Sequence, residues 1–321
     1  MGLFDFFKKK EQQKVTVKVS TIEKAKSDSE YSPWQQQAQP RNDNYAILAF
    51  ISLCKEGATI GKTNDDYARS FSYEYKVYDP ISYHKRLIAE GYLEKADVSV
   101  ALEHLKVAQL KEILKSNGLP EKGKKADLLE RILANVDTTS IELETYYIPS
   151  QKGWEHYKRY EYLYSVASYG IGFERYEEYK KQLNPHLKPN DIIWHILNDD
   201  FNRHNMKNDF GLARNSLYNM AQFLEKENRH KQALYYYVIV LYYDTSGLGN
   251  GGYVDEEPQY IYLAPDLVSR LVKYREHYEE DMVQQCYSRY KLPHHYIKIT
   301  KFKRLVNDIF NDNLLNIKSY L

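Results

Sequence analysis

Cysteine is almost missing: Cys54 and Cys286 are the only two in 321 residues, far apart and without a Cys-x-x-Cys spacing. That argues against a disulfide framework or a cysteine-built zinc module, and it suits a reducing cytoplasm. Net charge is nearly missing too. Lys and Arg number 45 against 44 Asp and Glu, which leaves +1. The chain is no polycation, so any affinity for nucleic acid must be local. No apolar run approaches the roughly 20 residues that cross a bilayer, and no signal peptide is evident. The length suits two or three domains rather than one. What abounds is tyrosine, at 32 residues, with Lys, Asn and Ile also common. These residues have A/T-rich codons, a bias that points to a low-GC bacterium or its phage.

The most informative stretch is Leu105–Val136, LKVAQLKEILKSNGLPEKGKKADLLERILANV. Val107, Leu110, Ile113 and Leu114 recur at helical spacing and make one apolar face. Gly118 offers the left-handed position that ends a helix, Leu119 is placed to fold back on the last turn, and Pro120 blocks continuation. Leu128, Leu129, Ile132, Leu133 and Val136 form a second stripe, so the spacing predicts a helical hairpin around a small shared core. Lys111 and Lys115 lie one turn apart on the first helix, and Lys122, Lys124 and Lys125 crowd the start of the second. From Lys106 to Arg131, seven Lys and Arg stand against four acids: Glu112, Glu121, Asp127 and Glu130. Lysines at a helix start oppose the positive end of the helix dipole. A docked anion reverses that sign, because free backbone N–H groups and lysines converge on it; a phosphate is the obvious candidate. The other reading is of solvated lysines softened by Glu121 and Asp127.

The pattern formed by Leu110-Lys111, Leu114-Lys115, Gly118-Leu119-Pro120, Gly123-Lys124-Lys125, Leu128 and Arg131 closely resembles the SAP domain, a helix–extended turn–helix module that binds DNA. The resemblance spans about 105–136. It implies DNA contact by the turn of Lys122, Gly123, Lys124 and Lys125, and by Lys111, Lys115 and Arg131. For Arg131 a structural pairing with acidic neighbours is the alternative. Modules of this family generally prefer AT-rich duplex and bind modestly, which fits so small a charge surplus.

Residues 1–43 read as a polar tail and linker. MGLFDFFKKK sets Leu3, Phe4, Phe6 and Phe7 beside Lys8–Lys10, a minimal amphipathic anchor for an anionic membrane or a dock for a partner. The N-myristoylation pattern fails there, because Phe6 stands where Ser or Thr is required. Val15–Ile22 alternates like one strand. Residues 44–100 read as a small helical domain, with Tyr45–Cys54 apolar enough for a buried helix. Gly57-x-x-x-Gly61-Lys62-Thr63 is one residue short of a phosphate loop and follows a helix, not a strand. Asp79-Pro80 starts a helix carrying Tyr83, Leu87 and Ile88, with His84, Lys85 and Arg86 on a wet face or against DNA. The string from Tyr83 to Ala96 is similar to the third helix and turn of winged-helix domains. Glu144–Tyr164 is similar to the strand and helix that close many of them, with Pro149 and Ser150 departing from the pattern.

Residues 138–321 read as a larger helical domain. Helices are expected at Phe173–Leu183, Pro189–His204, Leu212–Asn228, Arg229–Tyr243 and Thr300–Tyr320, the last with a basic start in Lys298, Lys301, Lys303 and Arg304. The hairpin at about 214–245 is similar to a single tetratricopeptide unit through Leu217, Met220, Ala221, Leu224, Ala233, Tyr237 and Val240. One copy falls short of the three or so that stabilise an array. The loop Asp244–Pro258, rich in glycine, reads as a flexible turn, since a dinucleotide fingerprint needs a strand before it.

Catalytic constellations are weak. His195, Asp199, Asp200 and His204 share one predicted helix but lack the i, i+4 histidine pair of metal helices. His294-His295 lies in a loop, neither cysteine has a base at readable spacing, and no nucleophile elbow appears. The expectation is a mainly α protein in four parts: tail 1–43, winged-helix-like unit 44–100, SAP-like hairpin 101–137 and helical domain 138–321. The implied function is non-catalytic tethering to double-stranded DNA in the cytoplasm or at the nucleoid, without metal or cofactor. Residues 153–321 would engage a protein partner or a second copy. The alternatives are a protein scaffold without DNA binding and a membrane-associated protein held by residues 1–10.

Overall fold

A computed structural model describes residues 42–255 and 261–321. The expected tail, its strand at 15–22 and the amphipathic segment 1–10 lie outside them. Among the described residues the chain is mainly helical, as the periodicities require, with two short strands. None of these helices is long and apolar enough to cross a membrane.

The first elements are α1 (Asp43–Leu53), α2 (Ser70–Tyr73), α3 (Pro80–Ala89) and β1 (Leu93–Lys95). The Asn42 side chain caps α1 by accepting from the Tyr45 N–H at 3.1 Å, and Asp79 caps α3 through the Ser82 N–H. Helix α1 is apolar almost all round, because it is a wall between two cores. Ile47, Phe50, Ile51 and Cys54 pack with Tyr67, Phe71, Tyr83 and Leu87. Tyr45 and Leu48 face the C-terminal helices instead. His84 belongs to the first core. It is fully buried, with Nδ1 3.0 Å from the Tyr67 hydroxyl and Nε2 3.6 Å from Cys54 Sγ. The wet face expected of α3 therefore excludes His84 and keeps Lys85; Arg86 is drawn to Asp43 and Glu90.

After β1 the chain leaves this core for α4 (Val98–Glu103), α5 (Val107–Ser116) and α6 (Lys125–Asn135), and returns as β2 (Tyr147–Pro149). Strands β1 and β2 are antiparallel neighbours, with Leu93 opposite Pro149 and Lys95 opposite Tyr147. The hydrogen bonding thus crosses the divisions expected at 100 and 138: the hairpin is inserted between two paired strands. Sequence spacing is blind to this, since β1 and β2 are three residues each and lie far apart in the chain. The insert keeps its own core of Leu102, Leu110, Leu114, Leu128, Ile132 and Val136. Val107 and Leu133, expected on the apolar stripes, are 41% and 45% exposed. The root of the insert is fixed by His104, whose ring stacks on Tyr146 at 4.3 Å and whose Nε2 lies 3.0 Å from the Glu56 carbonyl.

The remaining helices are α7 (Gln151–Tyr160), α8 (Tyr162–Ser168), α9 (Phe173–Gln182), α10 (Pro189–Met206), α11 (Phe210–Lys226), α12 (His230–Asp244), α13 (Pro265–Lys273), α14 (Asp281–Arg289) and α15 (Ile299–Phe310). They share one core with α12 at its centre; Leu234, Tyr237, Val238, Val240 and Leu241 are fully buried there. One expectation fails here. The final helix stops at Phe310 instead of Tyr320, because Asn311 caps it and Asp312 turns left-handed at φ +56°, a conformation that Asp tolerates. Tyr320 then comes back inside, fully buried, its hydroxyl 2.7 Å from Asp308. The 244–258 loop is anchored at its start, where Thr245 and Ser246 are buried and the Gly211 N–H donates to the Gly249 carbonyl, while residues 250–254 are exposed.

Candidate nucleic-acid interface

The hairpin turn is built by four devices. Helix α5 ends at Asn117, and Gly118 adopts φ +68°. The Leu119 N–H then bonds back to the Leu114 carbonyl at 2.9 Å, and the Gly118 N–H to Lys115 at 3.0 Å. This is the left-handed cap expected from the sequence, with Leu119 folded onto the small core. Arg131 reaches back from α6, and its Nη1 donates to the Pro120 carbonyl at 2.6 Å and the Lys122 carbonyl at 3.0 Å. Gly123 sits at φ +133°, where a Cβ would lie 2.8 Å from Asp127 Oδ2 and 2.9 Å from its Cβ. Only glycine lets the chain pass that close. The carboxylate it makes room for accepts the Lys124 N–H at 2.8 Å.

Asp127 therefore satisfies one donor at the start of α6 and offsets the lysines crowded there. The first bond within the helix runs from the Leu128 N–H to the Lys124 carbonyl. The N–H groups of Lys125, Ala126 and Asp127 precede it and, by helix geometry, point out of the open end. Around that end Lys122, Gly123 and Lys124 are exposed, Lys115 is exposed on α5, and Lys111 is half-buried beside the apolar stripe. Among the described residues, none of these lysines has a carboxylate within ion-pair distance. Lys125 is different, for its Nζ donates to the Glu103 carbonyl at 2.5 Å and ties α6 to the end of α4.

The sequence-derived set thus divides in two. Lys111, Lys115, Lys122 and Lys124 are free to meet a ligand, and Gly123 shapes the turn. Arg131 holds the turn through carbonyls, not the acidic neighbours weighed above, and Lys125 is partly engaged. The arginine's structural role was weighed from sequence, but its partners were invisible there, because carbonyl acceptors carry no residue signature. Residues 101–137 match the family model of the SAP domain. No curated protein and no solved structure matches the chain. Within these residues the two helices frame an open helix end with lysines beside it.

Other candidates are occupied. In the Gly57–Thr63 loop, Asp66 Oδ2 accepts from the Lys62 and Thr63 N–H groups at 2.7 and 2.8 Å. The donors a phosphate would use are taken by the chain's own carboxylate. On α10, Asp200 is held by Arg175 and Arg203, and Asp199 accepts from the Tyr179 hydroxyl at 2.5 Å. His295 is wedged between the Tyr242 and Ile297 carbonyls, and burial pushes it down to about 4. His294 Nδ1 is 2.6 Å from the Ser246 carbonyl. Burial pushes both cysteine thiols up to about 12, the wrong direction for a nucleophile. Among the described residues no cluster of His, Cys, Asp and Glu is arranged to hold a metal. At the basic start of α15, Lys301 bonds the Leu321 carbonyl and Arg304 pairs with Asp308.

Proposed function

We propose that this chain is a DNA-tethering protein that holds duplex backbone through its SAP domain and does no chemistry of its own. The observation that carries this reading is the open start of α6, with exposed Lys122 and Lys124 beside it and exposed Lys115 on α5, none of them in an ion pair among the described residues. Contacts of this kind position a protein on phosphates and read little sequence. A mild preference for AT-rich duplex is part of the proposal, as is action in the cytoplasm at the nucleoid. The helices from 153 onward serve a protein partner. A pure protein scaffold is the second reading, supported by the cationic groove described below.

The test is fluorescence anisotropy of the full chain with AT-rich and GC-rich duplexes over a salt series. Lys122→Ala with Lys124→Ala should weaken both duplexes alike and reduce the slope of log affinity against log salt by about 2, near one per lost phosphate contact. Unchanged affinity and slope would remove DNA from the account and leave the scaffold.

A further inference from the structure

Two cavities of about 340 and 470 Å³ in the C-terminal helices share Tyr236 and Arg289 in their linings, so they lie side by side and are together called the groove. Its lining comes from α10, α12 and α14, with Leu217 and Met220 of α11. The charge inside is one-sided. Arg229, Lys231, Arg289 and Lys291 line it with a single carboxylate, Glu279, which is already bound by Lys231 at 2.6 Å. Arg229 bonds neutral Gln232 and lies 6.0 Å from the Trp194 ring. Arg289 lies 5.8 Å from the Tyr290 ring. Among the described residues, neither arginine nor Lys291 has a carboxylate within ion-pair distance.

The α10 wall adds a pattern. Asn198, Asn202 and Asn205 all face the groove. Asn198 gives one N–H of its amide to the Trp194 carbonyl, and Asn205 accepts the Tyr243 hydroxyl. Their other amide atoms, and the whole of exposed Asn202, remain available. An asparagine amide offers one donor and one acceptor side by side, as a peptide group does. Asn198 and Asn202 are separated by roughly 6 Å of helix rise, close to the roughly 6.6 Å between alternate residues of an extended strand. Trp194 is already packed by Phe223 and Tyr236, so it is no open platform for stacked bases of the sort single strands use.

We propose that this groove binds an extended acidic peptide of a partner protein, its backbone along Asn198 and Asn202 and its carboxylates on Arg229, Arg289 and Lys291. The proposal rests on the partner-binding half of the reading above and gives that partner a chemistry. To test it, the full chain is panned against a displayed random peptide library, and the enriched sequences are synthesised for anisotropy. Enriched peptides should carry an excess of Asp and Glu. Arg229→Glu with Arg289→Glu should weaken them about tenfold or more, since each tenfold step needs only about 1.4 kcal/mol. Both arginines are exposed, so circular dichroism should show the fold retained; Asn202→Ala, also exposed, should weaken binding severalfold as an independent variant. Lys122→Ala with Lys124→Ala should leave peptide binding intact, which separates this outcome from failure of the DNA reading. Enrichment without acidic excess overturns the proposal, as does affinity indifferent to charge reversal. So does an empty selection, including one in which a single-stranded oligonucleotide occupies the groove.

Discussion

In the proposed DNA reading, Arg131 serves binding without touching the ligand. Its guanidinium is spent on the Pro120 and Lys122 carbonyls, and this sets where Lys122 and Lys124 stand. Hydrogen bonds from charged donors contribute about 1.5–3 kcal/mol, so losing this one should loosen the turn without removing a phosphate contact. Arg131→Ala is expected to weaken duplex binding severalfold while leaving the salt slope unchanged, in contrast to the loop lysines. A slope reduced by about 1 in the same titration would make Arg131 a phosphate ligand after all. The lysines, Gly118 and Gly123 were legible in sequence, because turn chemistry and charge leave residue signatures. Arg131's carbonyl partners and the Lys125–Glu103 contact were not, since any residue can present a carbonyl.

Between elements, Glu225 on α11 joins three helices through polar contacts. It accepts from Tyr237 on α12 at 2.7 Å, from Lys273 on α13 at 2.8 Å and from Tyr274 just past α13 at 2.6 Å, and it pairs with Arg270 on α13. Burial alone would raise its pKa. The hydrogen bonds from Lys273, Tyr274 and Tyr237, with the charge of Arg270, outweigh that and bring it down to about 2. A depressed carboxylate stabilises the fold above its unfolded value, here 4.5, and loses that contribution as pH falls through about 2. Glu225→Gln should cost about 3 kcal/mol in urea unfolding near neutral pH, the scale of a broken buried pair. Lys231→Ala, which breaks the pair to Glu279 with both side chains more than half exposed, should cost under about 1 kcal/mol. Equal costs would show that Glu225 joins nothing. Helices α9 to α12 were legible from their periodicity and caps. The end of α15 was not, because a left-handed Asp312 leaves no pattern that separates it from a helical one.

Across the whole molecule, two cores are closed over neutral histidines. Burial pushes His84 and His295 from 6.5 down to about 4. The unfolded chain binds these protons near pH 6.5, whereas the fold resists them until about pH 4. Their stabilisation is therefore complete above 6.5 and lost as pH falls toward 4, on the order of 3 kcal/mol for each. The urea midpoint should fall between pH 7 and pH 5, before the carboxylates titrate. A flat midpoint across that range would mean that neither ring is held neutral. At this scale the helical class and the module were legible in sequence, and the likeness of Glu144–Tyr164 to a closing strand and helix hinted at the return, while the register of two three-residue strands stayed hidden.

That route has a mechanical meaning. The SAP hairpin departs from β1 and comes home through β2, side by side with it, with His104 seated on Tyr146 at the threshold. A tug on anything the hairpin held would be shared by both strands in the same direction, so it would not slide one past the other. The anchorage spreads tension over two covalent leads, where a module strung on a single linker would hang from one.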